Sequence, residues 1–378
     1  MLQMVHIAVF GNSKWSRLMK EILEAEYSQL LEEDGGETVA VDVFVVLGQP
    51  QGEGEISVSE FGRRYAAREL AAIVIPKEYY MQQNELVLAL LREGVDVADI
   101  YDGIRLSAQT RNRPEEVACL ITPMLYDSYL PYLEFHVADH CNLNCKYCTH
   151  YSPLVTQPVY TEYEGFAGDF KQLKKHIADI GVIRILGGEP LLNPELGRFI
   201  ELARELYPAA IITVVTNGLL LDRLDETLIE IMRKNLAFFH ISFYPPLKDR
   251  IGEIQKFLYE KEIPYTITSM IAEFNKTQTL TPQEDEDFFY RCFQASCTCL
   301  HKGRVAPCYA PFTTKYFNEA FGQKLPVDEG VDLYDESLTT PVLKAELLIP
   351  MERCRYCVAG DACPWEIVGR HSALEDWV

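Results

Sequence analysis

The sequence is short of positive charge and of long apolar runs. Its 35 Lys and Arg stand against 56 Asp and Glu, a formal net charge of −21. A diffuse negative field repels nucleic acid and anionic membrane, so neither is expected as a partner. No apolar run reaches membrane-spanning length, and the first residues lack the charged-then-apolar layout of a signal peptide. These absences suggest a cytoplasmic chain, where a reducing compartment leaves structural disulfides out. Glycine is scarce where a dinucleotide site would need it. The turn Gly11-Asn12-Ser13-Lys14-Trp15-Ser16 holds one glycine where the phosphate fingerprint wants three.

Cysteine, by contrast, is abundant, with 11 in the chain. Cys119 stands alone and reads as core packing. The other ten fall into three groups: 141/145/148, 292/297/299/308 and 354/357/363. Clustered cysteines in a chain without disulfides point to metal or to chemistry.

The 378 residues allow two or three domains, and an α/β class is expected throughout. Residues 1–112 alternate apolar runs (Val5 to Phe10, Val39 to Leu47, Ala72 to Ile75, Val95 to Tyr101) with helical faces such as Leu18, Met19, Ile22, Leu23, Tyr27 and Leu30. That alternation predicts a small Rossmann-like domain. Asp42 lies in its second strand, where a ribose-binding acid would stand. With the poor glycine turn, a docking or scaffold domain is the better reading. A nucleotide or nucleotide-sugar site in the same crevice is the intermediate one.

Residues 131–285 predict strands at Leu133 to Val137, Val182 to Leu186, Ala209 to Val215, Phe238 to Phe243 and Tyr265 to Thr268. Helical patterns between them suggest a partial, TIM-like (β/α)6 barrel, whose chemistry sits at the C-terminal strand ends. Asn193 with Pro194 predicts a helix start. Residues 286–378 lose the rhythm and carry seven cysteines, which suggests a small Cys-rich, metal-organised domain.

The segment Asp139-His140-Cys141-Asn142-Leu143-Asn144-Cys145-Lys146-Tyr147-Cys148 follows the first barrel strand. Thiolates brought together on one short loop hold iron–sulfur clusters. Three of them on a cubane leave one iron open, by the logic that separates catalytic from closed metal sites. A zinc site is the alternative, with His140 or His150 as fourth ligand. Gly187-Gly188-Glu189-Pro190 ends the second strand, and Thr216-Asn217-Gly218 the third.

Cysteines at spacings of three and two, followed in register by Gly-Gly-Glu-Pro, resemble the radical S-adenosylmethionine (SAM) superfamily over residues 131 to about 270. The resemblance implies a 4Fe–4S cluster on Cys141, Cys145 and Cys148, and SAM bound to its open iron. It implies that Tyr147 packs near the adenine and that Gly187, Gly188 and Glu189 meet the methionine amino group. Thr216, Asn217 and Ser242 resemble further SAM-lining positions. An external electron donor such as flavodoxin or ferredoxin is implied as a partner.

Cys292, Gly303, Cys308, the pair Cys354 and Cys357, and Cys363 resemble the SPASM and shorter twitch extensions of that superfamily. These imply an auxiliary 4Fe–4S cluster with ligands drawn from Cys292, Cys297, Cys308, Cys354 and Cys357. Cys299 and Cys363 are the spares, and a structural zinc is the alternative. The expected activity is radical chemistry on a small molecule, a carbohydrate or nucleotide-sugar, by epimerisation or dehydrogenation. Spare thiols tilt the reading toward epimerisation. A peptide-modifying maturase and a non-catalytic iron–sulfur protein are the other readings. The layout is also similar to radical SAM proteins associated with surface-polysaccharide biosynthesis.

Overall fold

The computed structural model describes residues 4–24, 38–76, 79, 82–103, 122–123, 128–285, 288–368 and 372–378. Cys119, and Tyr27 and Leu30 of the first helical pattern, lie outside the described residues. The chain divides into two compact units. One comprises Met1–Asp127, Tyr290–Ser296 and Thr340–Ala345; the other comprises Ser128–Phe289, Cys297–Thr339 and Glu346–Val378.

The first unit is built on a sheet of β1 (Met4–Phe10), β2 (Thr38–Val46), β3 (Glu55–Ser57), β4 (Ala72–Ile75), β5 (Ile100–Asp102) and β6 (Thr122–Pro123). Their order is β3-β2-β1-β4-β5-β6, parallel except for β6. This is the doubly wound arrangement, with its switch point between β1 and β4. Helix α1 (Lys14–Ile22) covers the sheet by burying Met19 and Ile22 against Ile7, Val9, Val41 and Val74. Two further helices, α2 (Val58–Ala66) and α3 (Gln83–Arg92), belong to the same unit.

The crevice of this unit is altered where a phosphate would lie. Gly11 has φ +74°, and a side chain there would meet the Tyr79 ring at 2.1 Å. The Tyr79 ring, edge-on to Phe10 with centroids 4.9 Å apart, occupies the place where a phosphate would approach the turn. Asp42 is engaged by His6 at 3.0 Å and by Arg64 at 3.7 Å.

In the second unit, β7 (Tyr129–Ala138), β8 (Asp179–Gly187), β9 (Ile211–Thr216), β10 (Phe238–Ile241) and β11 (Tyr265–Ile267) lie parallel and in sequence order. Helices α4 (Tyr163–His176), α5 (Leu196–Leu206), α6 (Glu226–Lys234) and α7 (Ile251–Glu260) alternate with them. α4 starts where the Glu162 carboxylate caps the amides of Glu164 and Gly165, and ends on Lys174, Lys175 and His176. Both ends suit the helix dipole. Phe166 and Phe170 of α4 and Phe199 of α5 close on Phe135 of β7. Each buried ring contributes on the order of 2 kcal/mol. α5 begins at Leu196, later than the Asn193-Pro194 signal implies, because Asn193 serves a turn: its side chain accepts the Glu195 amide and donates to Val137.

Among the described residues, five of the parallel strands are laid in sequence order, and the sixth is not added beyond β11. The sheet instead grows from the opposite edge, where Cys299 of β13 (Cys299–His301) pairs in parallel with Glu134 of β7. Antiparallel β14 (Arg304–Ala306) and β15 (Val331–Asp332) follow. The Cys-rich segment thus supplies strands to the barrel sheet itself. β12 (Glu273–Asn275) and β16 (Ala362–Pro364) form a separate ribbon, and α8 (Ala310–Phe321) follows Cys308.

Candidate active site

Side chains alternate across β7, so the residues opposite Phe135 face away from the helices. Glu134, Arg184 and Thr213 are register partners across β7, β8 and β9 and share that inward face. The row above it includes His136 and Leu186, and His240 with Thr266. The C-terminal ends of these strands carry the three motifs.

The first motif winds directly off β7. Cys141, Cys145 and Cys148 all line one cavity, together with Gly187, Gly188, Thr216, Asn217 and Ser242. Hydrogen-bond donors point at the sulfurs. The Leu143 amide reaches Cys141 Sγ at 3.3 Å, and the Trp365 indole reaches Cys145 Sγ at 3.2 Å. Asn217 Nδ2 is 3.6 Å from Cys141 Sγ and donates to Asn142 at 2.7 Å. Burial raises all three thiols, Cys145 up to about 12. Metal loading of such thiols therefore releases protons.

Both glycines of the second motif are dictated by backbone approach. A Cβ on Gly187, which has φ +140°, would stand 2.0 Å from the Ala138 carbonyl oxygen. A Cβ on Gly188 would stand 2.2 Å from that of His140. Their closeness allows the Gly188 amide to donate to Ala138 at 2.7 Å and the Glu189 amide to His140 at 3.0 Å. The second motif is thereby pinned to the root of the cysteine loop.

Glu189 is fully buried. Its carboxylate accepts the Thr216 hydroxyl at 2.7 Å, the Asn217 amide at 2.9 Å and the Leu191 amide at 3.1 Å. Burial raises its carboxyl to about 7 against these three donors. The Ser242 amide donates to Thr216 at 2.9 Å, which ties the fourth strand end to the third.

Tyr147 takes a left-handed backbone, φ 58°, and its ring lies near the Lys146 and Lys276 ammonium groups at 5.3 and 5.4 Å. The aromatic residues that line the cavity are Tyr244 and Phe274, whose rings meet edge-on at 5.8 Å. Sequence reasoning missed both, along with Trp365. Tyr244 lies just beyond the predicted strand end at Phe243, which is the one signal that was available. His150 also lines the cavity, and is packed between His136 and Tyr309 at 4.9 and 4.0 Å. His140 instead accepts the Val159 amide on its Nδ1 at 3.1 Å. Among the described residues, no three His, Cys, Asp or Glu side chains converge on one metal ion. Three thiolates on different corners of a cubane stand farther apart than three on one ion, and the shared cavity wall suits the cubane.

Of the C-terminal cysteines, Cys297, Cys308, Cys354 and Cys357 belong to the barrel unit, and Cys292 to the other. Cys299 is buried at the start of β13. Cys363 sits on β16, paired with Phe274.

Residues 136–248 match the model of the Radical SAM superfamily, so the chain carries a radical SAM domain. That domain implies a 4Fe–4S cluster and SAM as cofactors. The chain is 32% identical over 101 residues to a GTP 3′,8-cyclase of Clostridium acetobutylicum, covering 26% of this chain and 31% of that protein. With the GTP 3′,8-cyclase of Clostridium perfringens the identity is 28% over 173 residues, covering 41% and 51%. The chain spans about a third to a half of the length of these relatives. Among solved structures, BtrN in complex with AdoMet and 2-DOIA aligns at 20% identity, with a TM-score of 0.39, covering 61% of this chain and 94% of that one. Among the described residues, no helix is long and apolar enough to cross a membrane.

Proposed function

We propose that this chain is a radical SAM enzyme that cleaves SAM reductively and takes a hydrogen atom from a small-molecule substrate, a carbohydrate or nucleotide-sugar. The observation that carries this reading is the shared wall of one cavity, where three cysteines face the strand ends bearing Gly187, Gly188, Thr216, Asn217 and Ser242. Cys141, Cys145 and Cys148 would hold the cluster, and the residues opposite would hold SAM. Gly187 and Gly188 line the cavity where the resemblance puts the methionine amino group, with Glu189 buried next to them, while Tyr244 and Phe274 offer the aromatic surface suited to an adenine. When bound, these cofactors supply a 5′-deoxyadenosyl radical. Leu143, Leu186 and Val215 give the cavity apolar wall that limits water.

The substrate class rests on the inward face of the same strands. Glu134 and His136 are buried there, and Glu134 Oε1 and His136 Nε2 have no hydrogen-bond partner. Arg184 acts electrostatically on both Glu134 and His240. A polyhydroxylated ligand supplies the donors and acceptors such a face lacks. The cyclase relatives carry a nucleotide in their name, which favours a nucleotide-linked substrate over a peptide. A cluster on Cys297, Cys308, Cys354 and Cys357 would receive an electron in dehydrogenation, and a thiol would return a hydrogen atom in epimerisation. The turnover product in deuterium oxide separates the two. One deuterium on carbon establishes the thiol route, and a product two mass units lighter without deuterium establishes oxidation. Absence of 5′-deoxyadenosine under reducing, oxygen-free conditions refutes the enzyme reading.

A further inference from the structure

Arg353 is among the most deeply buried side chains of the protein, with 2% of its surface exposed. It sits in a short turn, Glu352–Tyr356, flanked by Cys354 and Cys357. A guanidinium is almost never fully buried without an anion, because removing its charge from water is costly. Among the described residues it has no carboxylate partner. Its Nε donates to the Thr314 hydroxyl at 2.9 Å, and its Nη2 to the Gln278 side-chain oxygen at 2.6 Å and the Tyr151 hydroxyl at 3.2 Å. These three oxygens are neutral. The remaining arm, Nη1, points at Cys357 Sγ, 3.4 Å away. Glu329 is nearby, yet its carboxylate is taken by the backbone amides of Glu352 and Arg353.

The group that faces the last donor is therefore a sulfur, which is anionic when it ligates a metal. Three short elements next to cysteines meet at this guanidinium. The turn holds Cys354 and is followed directly by Cys357. Thr314 belongs to α8, which starts two residues after Cys308, and the Cys308 sulfur also acts electrostatically on Arg353. Tyr151 follows the catalytic loop, its amide bonded to the Cys148 carbonyl at 2.9 Å. Arg353 thus bridges the end of the first cysteine group to the third. Thiolate clusters are net anionic, and fixed charges and hydrogen bonds at their sulfurs set their potentials.

We propose that Arg353 is the counter-charge of an auxiliary iron–sulfur cluster ligated through Cys357, and that its fixed positive charge raises that cluster's reduction potential. This rests on the auxiliary-cluster reading above. Adding one electron makes the cluster more negative by one charge, and a buried cation beside it stabilises the reduced form. The same charge favours transfer of an electron into this cluster from the barrel interior.

The test uses the full chain with Cys141, Cys145 and Cys148 changed to Ala, reconstituted without oxygen, so that only the auxiliary cluster contributes. Dithionite titration followed by electron paramagnetic resonance gives its midpoint, with iron measured alongside. Arg353→Gln is expected to shift the midpoint to a more negative potential, and Arg353→Lys to leave it near the parent. Thr314→Val, which removes one hydrogen bond but no charge, is expected to leave it near the parent as well. If Arg353→Gln loses the cluster while Arg353→Lys keeps it, the charge requirement stands. Equal midpoints in parent and Arg353→Gln, or loss of the cluster in both Arg353 variants, overturn the proposal. No iron in the parent background overturns the auxiliary-cluster reading itself.

Discussion

The Thr216 hydroxyl donates to the buried Glu189 carboxylate at 2.7 Å, joining the second strand end to the third across the mouth of the barrel. Glu189 is thereby fixed by the protein before any ligand arrives. A glutamate buried this way is costly to ionise, and its carboxyl is raised to about 7.

The first prediction follows from that shift. A carboxyl whose folded pKa lies above its unfolded value near 4.5 loses stability as pH rises through the window from about 4.5 to about 7. The loss amounts to about 3 kcal/mol once the pH exceeds the folded value. Glu189→Gln removes this penalty. Denaturant unfolding of the cofactor-free protein is expected to show the variant gaining on the parent at pH 8 and matching it near pH 4.5. A variant as pH-sensitive as the parent would contradict the assignment. SAM binding by the parent should also release protons near pH 6 to 7, because a ligand ammonium favours the ionised carboxylate.

The second prediction concerns the glycine pair. Gly188→Ala places a methyl group against the His140 carbonyl, 2.2 Å from its oxygen, with backbone rather than a flexible side chain in the way. A loss of about 3 kcal/mol is expected from the forced backbone shift. Gly187→Ala adds a left-handed strain to a 2.0 Å clash and is expected to cost at least as much. Thermal melting checks both. A melting temperature unchanged by either substitution would mean that the cysteine loop is not pinned to the second motif.

The third prediction concerns metal content. Two 4Fe–4S clusters imply about eight irons per chain and one implies about four. The higher value is expected, falling by about half when Cys354 and Cys357 are both changed to Ala. Stoichiometric zinc with about four irons would remove the auxiliary cluster.

The fourth concerns the cavity aromatics. Tyr244 and Phe274 line the cavity, and burial holds the Tyr244 phenol well above its usual range. Tyr244→Ala is expected to weaken SAM binding about tenfold, the equivalent of about 1.4 kcal/mol. Equilibrium binding of SAM to the reconstituted protein checks this. Tyr147→Ala gives the contrast: an equal loss there would support the adenine packing that the resemblance implies for Tyr147.

Much of this framework is legible in the sequence because it is local. Phe166, Phe170 and Leu173 recur at helical spacing, and the helix they imply is α4, with all three buried. Val182 to Leu186 lies within β8, and Gly187-Gly188 at its end. What escapes is what distance in sequence hides. Trp365 reaches Cys145 across 220 residues, and Arg353 reaches Tyr151 across 202. Cys299 reads as a spare metal ligand in a separate segment, yet the strand it begins pairs with β7. Strand pairing of this kind leaves no periodicity in either partner. In the first unit the weak glycine turn is legible, but not Tyr79, whose ring fills the space over Gly11 from another loop.

The most direct measurement of the central claim is formation of 5′-deoxyadenosine from SAM by protein reconstituted with iron and sulfide without oxygen and reduced with dithionite. The parent chain is expected to form it. Cys141→Ala, Cys145→Ala and Cys148→Ala are each expected to abolish it while remaining folded, because all three thiolates are needed to present one open iron. Parent-rate formation by any one of these variants would contradict the account.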